Sequence, residues 1–446
     1  MVFLRDLVLA RFRGTVWQAK RSSCFRRVHI MRRYWVRLWI CVAVGVGGGG
    51  SRSGAATFTV EGTVAQVRQR NPDLVAARMA IAEARGRRRQ AGRLANPELE
   101  TAVYPNVAGR EGFLTFELNQ RLPLTGRLRL EKTISETQIR VAEAEVGELE
   151  RTLAGSAAVA AVESGMLERE QALRERQAAN SRELRDGATR VAAAAEGSAI
   201  EADQFAVEAE QLEIQRLQLD AERAAVEGRL RPLLGLPASE PIRVELETLE
   251  PALPQGATPA AVARSDQRVA LERRRSAELS VALARAQRWQ DIGIGVVGQG
   301  QRVLDVPVGL RDESFVGLQI SVPLPLWNRN EGRIEEAKAT LGRSDREIEA
   351  VELRIRSEVA AAQAQVRVAE AMLGRVTTQL LPAATRVEES LERLRGMGQA
   401  TLTDVLRARE RRLLAEAARL SAERDLRKAR VQWMTATGAI LSSNQP

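Results

Sequence analysis

The stretch that decides the fold is Phe113-Leu-Thr-Phe-Glu-Leu-Asn-Gln-Arg-Leu-Pro123-Leu-Thr-Gly-Arg127. It returns about 200 residues later as Phe315-Val-Gly-Leu-Gln-Ile-Ser-Val-Pro323-Leu-Pro-Leu-Trp-Asn-Arg329. In each copy apolar residues occupy every second position, which predicts a strand with one apolar face. Proline has no backbone N–H to donate, so Pro123 and Pro323 mark junctions where a strand ends and a new element begins.

The apolar side chains of the two strands are predicted to face a membrane. A hairpin of strands about ten residues long has the length of a tilted membrane crossing. The residues assigned to this face are Leu114, Phe116 and Leu118 in the first copy, and Val316, Leu318 and Ile320 in the second.

The repetition extends far beyond the strands. With an offset of about 201, apolar residues at coiled-coil spacing correspond in pairs. These pairs are Ile139 and Leu341, Val146 and Ile348, Leu149 and Val351, and Leu153 and Ile355. Gly197 and Asp203 correspond likewise to Gly398 and Asp404. The chain is therefore a tandem duplication.

The net charge of +10 comes from the N-terminal leader, residues 1–56. This segment holds eleven Lys and Arg but one acidic residue, Asp6, so the remaining chain is balanced. A nucleic-acid partner is therefore not expected once the leader is removed.

The leader has the pattern of a secretory signal peptide. A basic segment from Met31 to Arg37 precedes a short apolar core, and small residues follow near Ala55 and Ala56. Residues 1–30 are unusual for a signal, and Met31 is an alternative initiator. The other interpretation is a membrane anchor, although the apolar core is shorter than the ~20 residues of a spanning helix.

The chain downstream of the leader has no cysteine and no histidine. Cys24, Cys41 and His29 all lie in the leader. We therefore expect no disulfide, no cofactor, no transition-metal site and no catalytic site in that part of the chain.

Proline and glycine divide the chain into two similar halves. The predicted units are a leader at 1–56, a first repeat at 57–235, a linker at 236–257, a second repeat at 258–440 and a tail at 441–446. Each repeat is predicted to contain a helix, a β-hairpin and two long helices. Gly187 and Gly197 are predicted to interrupt the first long helix, whereas one continuous helix is expected at about 330–395.

This pattern requires several copies of the chain. Four membrane strands cannot close a barrel, and an open strand edge in lipid leaves backbone groups unpaired. The predicted fold is mainly α with membrane β, in a homo-oligomer.

The chain resembles the TolC-type outer-membrane efflux channels over about residues 58–440. The resemblance rests on Arg70-Asn71-Pro72-Asp73-Leu74, the junctions at Pro123 and Pro323, and Gly398-Gln-Ala-Thr-Leu-Thr-Asp404. Asn96-Pro97-Glu98 and Thr125-Gly126-Arg127 are most similar to the heavy-metal cation-efflux branch, which suggests a role in heavy-metal resistance. The resemblance implies a homotrimer in the outer membrane, with a twelve-stranded β-barrel and a periplasmic α-barrel. It also implies a periplasmic adaptor and an inner-membrane pump of the RND type as partners.

The same resemblance implies a periplasmic gate and adaptor-contact tips. Asp404 matches an acidic gate position, Asp203 is its first-repeat counterpart, and Arg407 stands where the family has a second acid. The implied tips are Glu196 and Gly197 in the first repeat, and Met397 and Gly398 in the second. Asp404 is equally compatible with an acid in the first turn of a helix, where the helix dipole favours it.

Three function classes follow from the pattern: an export duct, an extended structural coiled coil of the envelope, and an enzyme. The strand hairpins argue against the second class, and the lack of a catalytic constellation argues against the third. The cargo is open among metal ions, drugs and secreted proteins.

Overall fold

Both repeats fold into long helices joined to a β-hairpin. The computed structural model describes residues 56–106, 111–193, 199–246 and 264–441. The leader up to residue 55, the predicted tips Glu196 and Gly197, the linker beyond residue 246 and the tail from 442 lie outside the described residues.

The first repeat has two short helices, a hairpin and two long helices after an initial strand. Its elements are β1 (Ala56–Phe58), α1 (Val60–Arg70), α2 (Pro72–Gln90), β2 (Glu98–Pro105), β3 (Gly112–Leu122), α3 (Arg127–Ala193) and α4 (Ala199–Leu234). Helix α3 continues through Gly187, so the predicted interruption there was wrong. A mid-helix glycine destabilises by only about 0.5–1 kcal/mol, and packing along α3 outweighs that.

The second repeat follows the same order with different details. Its elements are β4 (Ile242–Val244), α5 (Ser265–Ala286), β5 (Ile292–Asp305), β6 (Gly309–Ser321), α6 (Glu331–Arg375), a π-helical turn (Val376–Leu380), α7 (Leu381–Gly396), α8 (Leu402–Thr437) and a 3₁₀ turn (Ala439–Leu441).

Three features of this repeat differ from the sequence-based expectation. Strand β4 lies in the segment expected to be only a linker, and it pairs in parallel with β1. The β5–β6 hairpin reaches well beyond the predicted strands. The expected continuous helix contains the π-helical turn just before Pro382. Because the Pro382 ring displaces the carbonyl of Thr378, the wider turn accommodates it.

The two hairpins join into one antiparallel sheet in the order β2–β3–β5–β6. Phe116, for example, pairs with Thr101 on one side and with Gly298 on the other. The outer edges of β2 and β6 therefore carry the backbone groups that have no strand beside them in the described chain.

The helices form a single layer, and the helices that pack against α3 change along its length. Near the sheet α3 packs against α2 and α5, and α5 packs against α6. Farther from the sheet α3 packs against α4 and α8, and α8 packs against α6 and α7. Each level of the layer is thus four helices wide. At about 1.5 Å per residue, the 67 residues of α3 span roughly 100 Å.

Small side chains in α3 let its neighbours approach closely. Ala154, Ala157, Ala158 and Ala161 are each at most 1% exposed. A Cβ atom added at Gly155 would lie 2.6 Å from the side chain of Thr435 on α8. The alanine-rich composition of α3 is therefore a packing requirement as well as a helix preference. None of the described helices combines the length and apolarity that a membrane-spanning helix needs.

Asn71 joins the start of α2 to the end of α4. Its Oδ1 accepts a hydrogen bond from the backbone N–H of Leu74 at 2.9 Å, and its Nδ2 donates to the carbonyl of Leu233 at 2.9 Å. The residue is 1% exposed. Both bonds are therefore shielded from water, and the Asn71-Pro72 pair begins α2 instead of continuing α1.

Replacing Asn71 with alanine should lower the thermal unfolding midpoint, because it removes a helix cap and leaves the Leu233 carbonyl without its partner. The expected loss is about 1–3 kcal/mol. Circular dichroism of the purified protein measures it. Asp73→Ala, an exposed first-turn change on the same helix, should lose less, about 0.3–1 kcal/mol. Equal losses in the two variants would contradict the buried role of Asn71.

Candidate channel wall and gate

The sheet has one apolar face that runs across all four strands. Residues that pair directly lie on the same face of an antiparallel sheet. Successive rows of that face are Ile294 and Ile320; then Leu99, Leu118, Val296 and Leu318; then Phe116 and Val316; and then Val103 and Leu114. All six residues predicted to face lipid lie on this face.

The other face of the same sheet is mainly polar. It carries Glu98, Glu100, Glu117, Asn119, Gln299, Gln301, Glu313 and Gln319. It also carries Tyr104, Phe113 and Phe315. Glu100 and Glu117 pair directly across β2 and β3, an arrangement that is unfavourable unless water screens the two carboxylates. One face of the sheet therefore suits an apolar environment and the other an aqueous one.

Two polar side chains fasten the sheet to the helix layer at the predicted junctions. After Pro123, the hydroxyl of Thr125 donates to the carbonyl of Ala286 at 3.1 Å. After Pro323, Nδ2 of Asn330 donates to the carbonyl of Ala284 at 2.8 Å. Both bonds engage carbonyls in the last turn of α5, which a helix leaves without internal partners. The strand–helix junctions of both repeats thus meet at one helix end.

An ion pair strengthens this junction. Arg127, at the start of α3, contacts Asp291 through two hydrogen bonds of 3.0 and 2.5 Å. The bidentate geometry fixes the direction of the arginine as well as its distance. The start of α3 is therefore held beside the residue that precedes β5.

The described tip of the second repeat is a tight turn. Gly398 has a φ of +75°, and the backbone N–H of Gln399 donates to the carbonyl of Leu394 at 2.9 Å. This is the closing bond of a Schellman motif, which favours glycine at the left-handed position. Met397 is 63% exposed beside it, so an apolar side chain projects into solvent at the tip.

Asp404 forms a capping box at the start of α8. The hydroxyl of Thr401 donates to its carboxylate at 2.6 Å, and the backbone N–H of Asp404 donates to the Thr401 hydroxyl at 3.2 Å. The backbone N–H of Thr401 also donates to this carboxylate at 3.1 Å. The two bonds that the carboxylate accepts from the hydroxyl and the backbone of Thr401 hold the pKa of Asp404 below its usual value, and the charge of Arg407 acts in the same direction. The geometry is that of a helix-start acid.

Arg407 points toward α4. Its guanidinium lies 5.8 Å from the ring centre of Phe205, within the range of a cation–π contact. No ion pair joins Arg407 to Asp404 or Asp203 within the described chain, although all three side chains are exposed at this end of the layer. Within the described chain Arg407 therefore contacts Phe205 of α4, and the carboxylate of Asp404 contacts Thr401.

A carboxyl pair that sequence reasoning missed lies farther into the layer. Burial, followed by a hydrogen bond with Glu208 on α4 and the charge of Glu208, raises the pKa of Glu410 on α8 to about 7. The two residues are separated by 202 positions in the sequence, close to the repeat offset of about 201. Acids at nearly equivalent positions of α4 and α8 were the signal available in the sequence.

Buried acids on the other side of α8 are neutralised by arginine. Glu388 of α7 contacts Arg409 and Arg412, and Glu423 contacts Arg169, Arg419 and Arg427. Among the described residues there is no group of three or more His, Cys, Asp and Glu side chains placed to hold a metal ion.

Known proteins share this fold. Residues 260–439 match the family model described as outer membrane efflux protein. The outer membrane efflux protein BepC of Brucella suis biovar 1 (strain 1330) is 25% identical over 131 residues, which is 29% of this chain and 28% of that relative. This sequence match thus spans under a third of the relative's length.

Two solved structures show the likeness over most of the chain. The outer membrane protein VceC of Vibrio cholerae superposes with a TM-score of 0.68 and 19% identity, over 85% of this chain and 96% of that one. The open state of the MtrE outer membrane channel of Neisseria gonorrhoeae gives 0.66 and 16%, over 85% and 88%. The second repeat therefore matches the outer membrane efflux protein family, and the described chain has the fold of the TolC-type outer-membrane channels.

Proposed function

We propose that this chain is one protomer of an outer-membrane channel in a tripartite efflux system, a passive duct from the periplasm to the exterior. The observation that carries the proposal is the pair of open, apolar edges on the helix layer. The fold shared with VceC and MtrE supports it, and so does the family match of the second repeat.

Comparison of the two repeats indicates that α4, at the open edge of the layer, lacks a neighbouring helix that its counterpart α8 has. Ala408 and Ala415 of α8 are 2% and 3% exposed, because α8 has neighbours on both sides. Their counterparts on α4, at the offset of about 201, are Val207 and Ile214, which are 59% and 55% exposed. Helix α4 has α3 on one side and nothing comparable on the other in the described chain. A second copy would supply the missing neighbour.

The opposite edge of the layer is apolar as well. On α6, Val368 is 60% exposed and Met372 is 53% exposed. Packing α4 of one copy against α6 and α7 of the next would bury both surfaces. Because each level is four helices wide, three copies would form a closed ring of twelve helices.

The number of strands in the sheet also favours three copies. Each chain supplies four strands with edges at β2 and β6, and lipid does not tolerate such edges. Two copies would give about eight strands, whose interior has room for little besides side chains. Three copies give a twelve-stranded barrel with a lumen, which suits the polar face that carries Glu100 and Glu117.

The proposed partners follow from the two ends of the duct. Lipid of the outer membrane surrounds the apolar face, whereas the tip at Met397 and Gly398 meets a periplasmic adaptor and, through it, an RND-type pump. We propose metal cations or small molecules as cargo, because the motifs Asn96-Pro97-Glu98 and Thr125-Gly126-Arg127 resemble those of the heavy-metal cation-efflux branch. Specificity then resides in the pump, and neither an enzymatic role nor a structural coiled coil is required.

We expect the detergent-solubilised protein to be a homotrimer. Light scattering with correction for bound detergent measures its mass. Val207→Glu on the open edge of α4 should shift the mass toward the monomer, because it places a charge in the contact between copies. Gln204→Glu, an exposed position on the same helix, is the matched control. A wild-type monomer would contradict the proposal.

The two faces of the sheet should respond differently to charge. Leu318→Arg places a cation on the apolar face and should cost about 2–4 kcal/mol at the bilayer midplane, so that less protein reaches the outer membrane. Gln319→Arg, its neighbour on the polar face, should be tolerated. The amount of heat-modifiable oligomer in outer-membrane fractions measures both. Equal loss for the two variants would count against the assignment of faces.

We propose that Asp203, Asp404 and Arg407 form part of a periplasmic gate, in which Arg407 reaches an acid of the neighbouring copy. Asp404→Ala and Arg407→Ala should then raise the resting conductance in planar bilayers. Thr401→Val breaks the capping box, which contributes about 0.5–2 kcal/mol, but keeps the Asp404 charge. If Thr401→Val leaks as much as Asp404→Ala, Asp404 acts only as a helix cap and the gate lies elsewhere.

A further inference from the structure

A cavity of about 350 Å³, lined by both polar and apolar side chains, lies among α3, α4 and α8. Glu208 enters it from α4 and Glu410 from α8, while α3 contributes Asn180 and Ser181. The cavity begins about eight residues, or roughly 12 Å, inside the start of α8. It is therefore close to the end of the layer that carries the Gly398 turn.

A hydrogen bond between the two carboxyl groups requires a proton on one of them. Carboxylates only accept hydrogen bonds, so Glu208 and Glu410 can bond to each other only when one of them is protonated. Burial is the largest cause that raises the pKa of Glu410 to about 7, followed by the hydrogen bond and the charge of Glu208. The pair thus changes its charge near neutral pH.

The cations around the pair are placed on two helices. Arg407 and Arg411 of α8 lower the pKa of Glu410, against the effect of burial. Arg174 of α3 lines the cavity, and its Nη1 donates to Gln177 at 2.8 Å. Arg409 is directed elsewhere, toward Glu388 on α7 and Glu183 on α3. Arg407 and Arg411 therefore oppose the effect of burial on the pKa of Glu410 without forming an ion pair with it in the described chain.

Two buried acceptors show that water belongs in the cavity. Asn180 and Ser181 are 4% and 3% exposed, and within the described residues Asn180 Oδ1 and Ser181 Oγ have no hydrogen-bond partner. The other side of the Asn180 amide is fixed, since Nδ2 donates to the carbonyl of Leu406 at 3.2 Å. Buried acceptors of this kind are satisfied by ordered water. A water held by these two atoms would lie in the cavity that Glu410 lines and would give its proton a route to the solvent.

We propose that Glu208 and Glu410 form a proton-dependent latch that holds α4 to α8 across α3 near the periplasmic end of the layer. With the shared proton in place, the carboxyl hydrogen bond ties the two helices together. When the proton leaves, two buried like charges repel each other and the helices separate. Helix α4 is the edge helix of its repeat, so its position there affects the contact with the next copy.

The direction of the pH effect follows from the raised pKa. The folded protein binds this proton more tightly than the unfolded chain does. The stabilisation from the proton is therefore fully present below the ordinary carboxyl pKa of 4.5 and is lost as pH rises through about 7. The latch is closed in acid and released in mildly alkaline solution.

Distance measurements between α4 and α8 test the latch independently of any channel activity. Cys24 and Cys41 are the only cysteines of the chain, so a background with both changed to serine accepts spin labels at Glu210→Cys and Ala418→Cys. We expect the distance to increase between about pH 6 and about pH 8, on either side of the pKa. Over the same range, infrared difference spectra should show loss of a protonated carboxyl group.

Glu410→Gln and Glu208→Gln are the informative variants, because an amide keeps a hydrogen bond but cannot lose the proton. Both should remove the pH-dependent distance change and the carboxyl band. Glu213→Gln on α4, whose carboxylate contacts Arg216, should leave both signals unchanged. An unchanged distance in the wild type, or a carboxyl band that persists in Glu410→Gln, would overturn the proposal.

The consequence for conduction rests on the proposed channel function and is measured separately. In planar bilayers the wild-type conductance should rise with pH through about 7, whereas Glu410→Gln should show a flat profile. A latch that responds to pH in the distance measurement, in a protein that forms no pore, would contradict the channel function and leave the latch intact.

Discussion

This structure depends on one constraint, which is that every backbone N–H and C=O group at a strand edge needs a hydrogen-bond partner. The β2–β3–β5–β6 sheet ends in two edges, and its apolar face excludes the water that would otherwise satisfy them. The helix layer repeats the problem with side chains instead of backbone groups, since α4 ends in exposed Val207 and Ile214. One symmetric arrangement of copies resolves both, because sheet and layer are each four elements wide.

The junction between the sheet and the helices connects a sheet of four strands to a layer of four helices, although strands and helices have different spacings. Thr125 and Asn330 follow the strands of different repeats, yet both donate to carbonyls at the end of α5. The strand spacing of a sheet is about 4.8 Å, whereas helices pack 8–10 Å apart. A fixed clamp is therefore needed where four strands meet four helices, and the hydrogen bonds at this single helix end provide it.

The sequence predicts those elements of the fold whose residue pattern repeats over a few positions. The alternation around Leu118 and Leu318, the prolines that end it and the coiled-coil spacing in the long helices are all local, so they predict strands, junctions and helices correctly. The prediction at Gly187 was wrong because a glycine inside a helix destabilises it only slightly, and packing along α3 contributes more stability than the glycine removes. Strand β4 was missed because its partner, β1, lies almost 190 residues earlier in the chain.

The candidate site was less accessible to sequence reasoning, because its geometry depends on which helices become neighbours. Asp404 was found by its place after Gly398, but the capping bonds to Thr401 compete with any role in a gate. Arg407 contacts Phe205, a residue about 200 positions earlier, and no local pattern predicts that contact. The residues of the apolar sheet face were easier to predict, because a period of two assigns a face before any partner strand is known.

The duplication also explains why a carboxyl pair occurs in one groove of the layer and not in its repeat. Glu208 of α4 and Glu410 of α8 face the groove over α3. At the offset of about 201, the corresponding positions are Arg409 on α8 and Ala209 on α4. Arg409 instead forms an ion pair with Glu388 on α7. In the described chain the carboxyl pair of Glu208 and Glu410 therefore lies in the groove between α4 and α8, and the repeat-related positions do not form a second such pair.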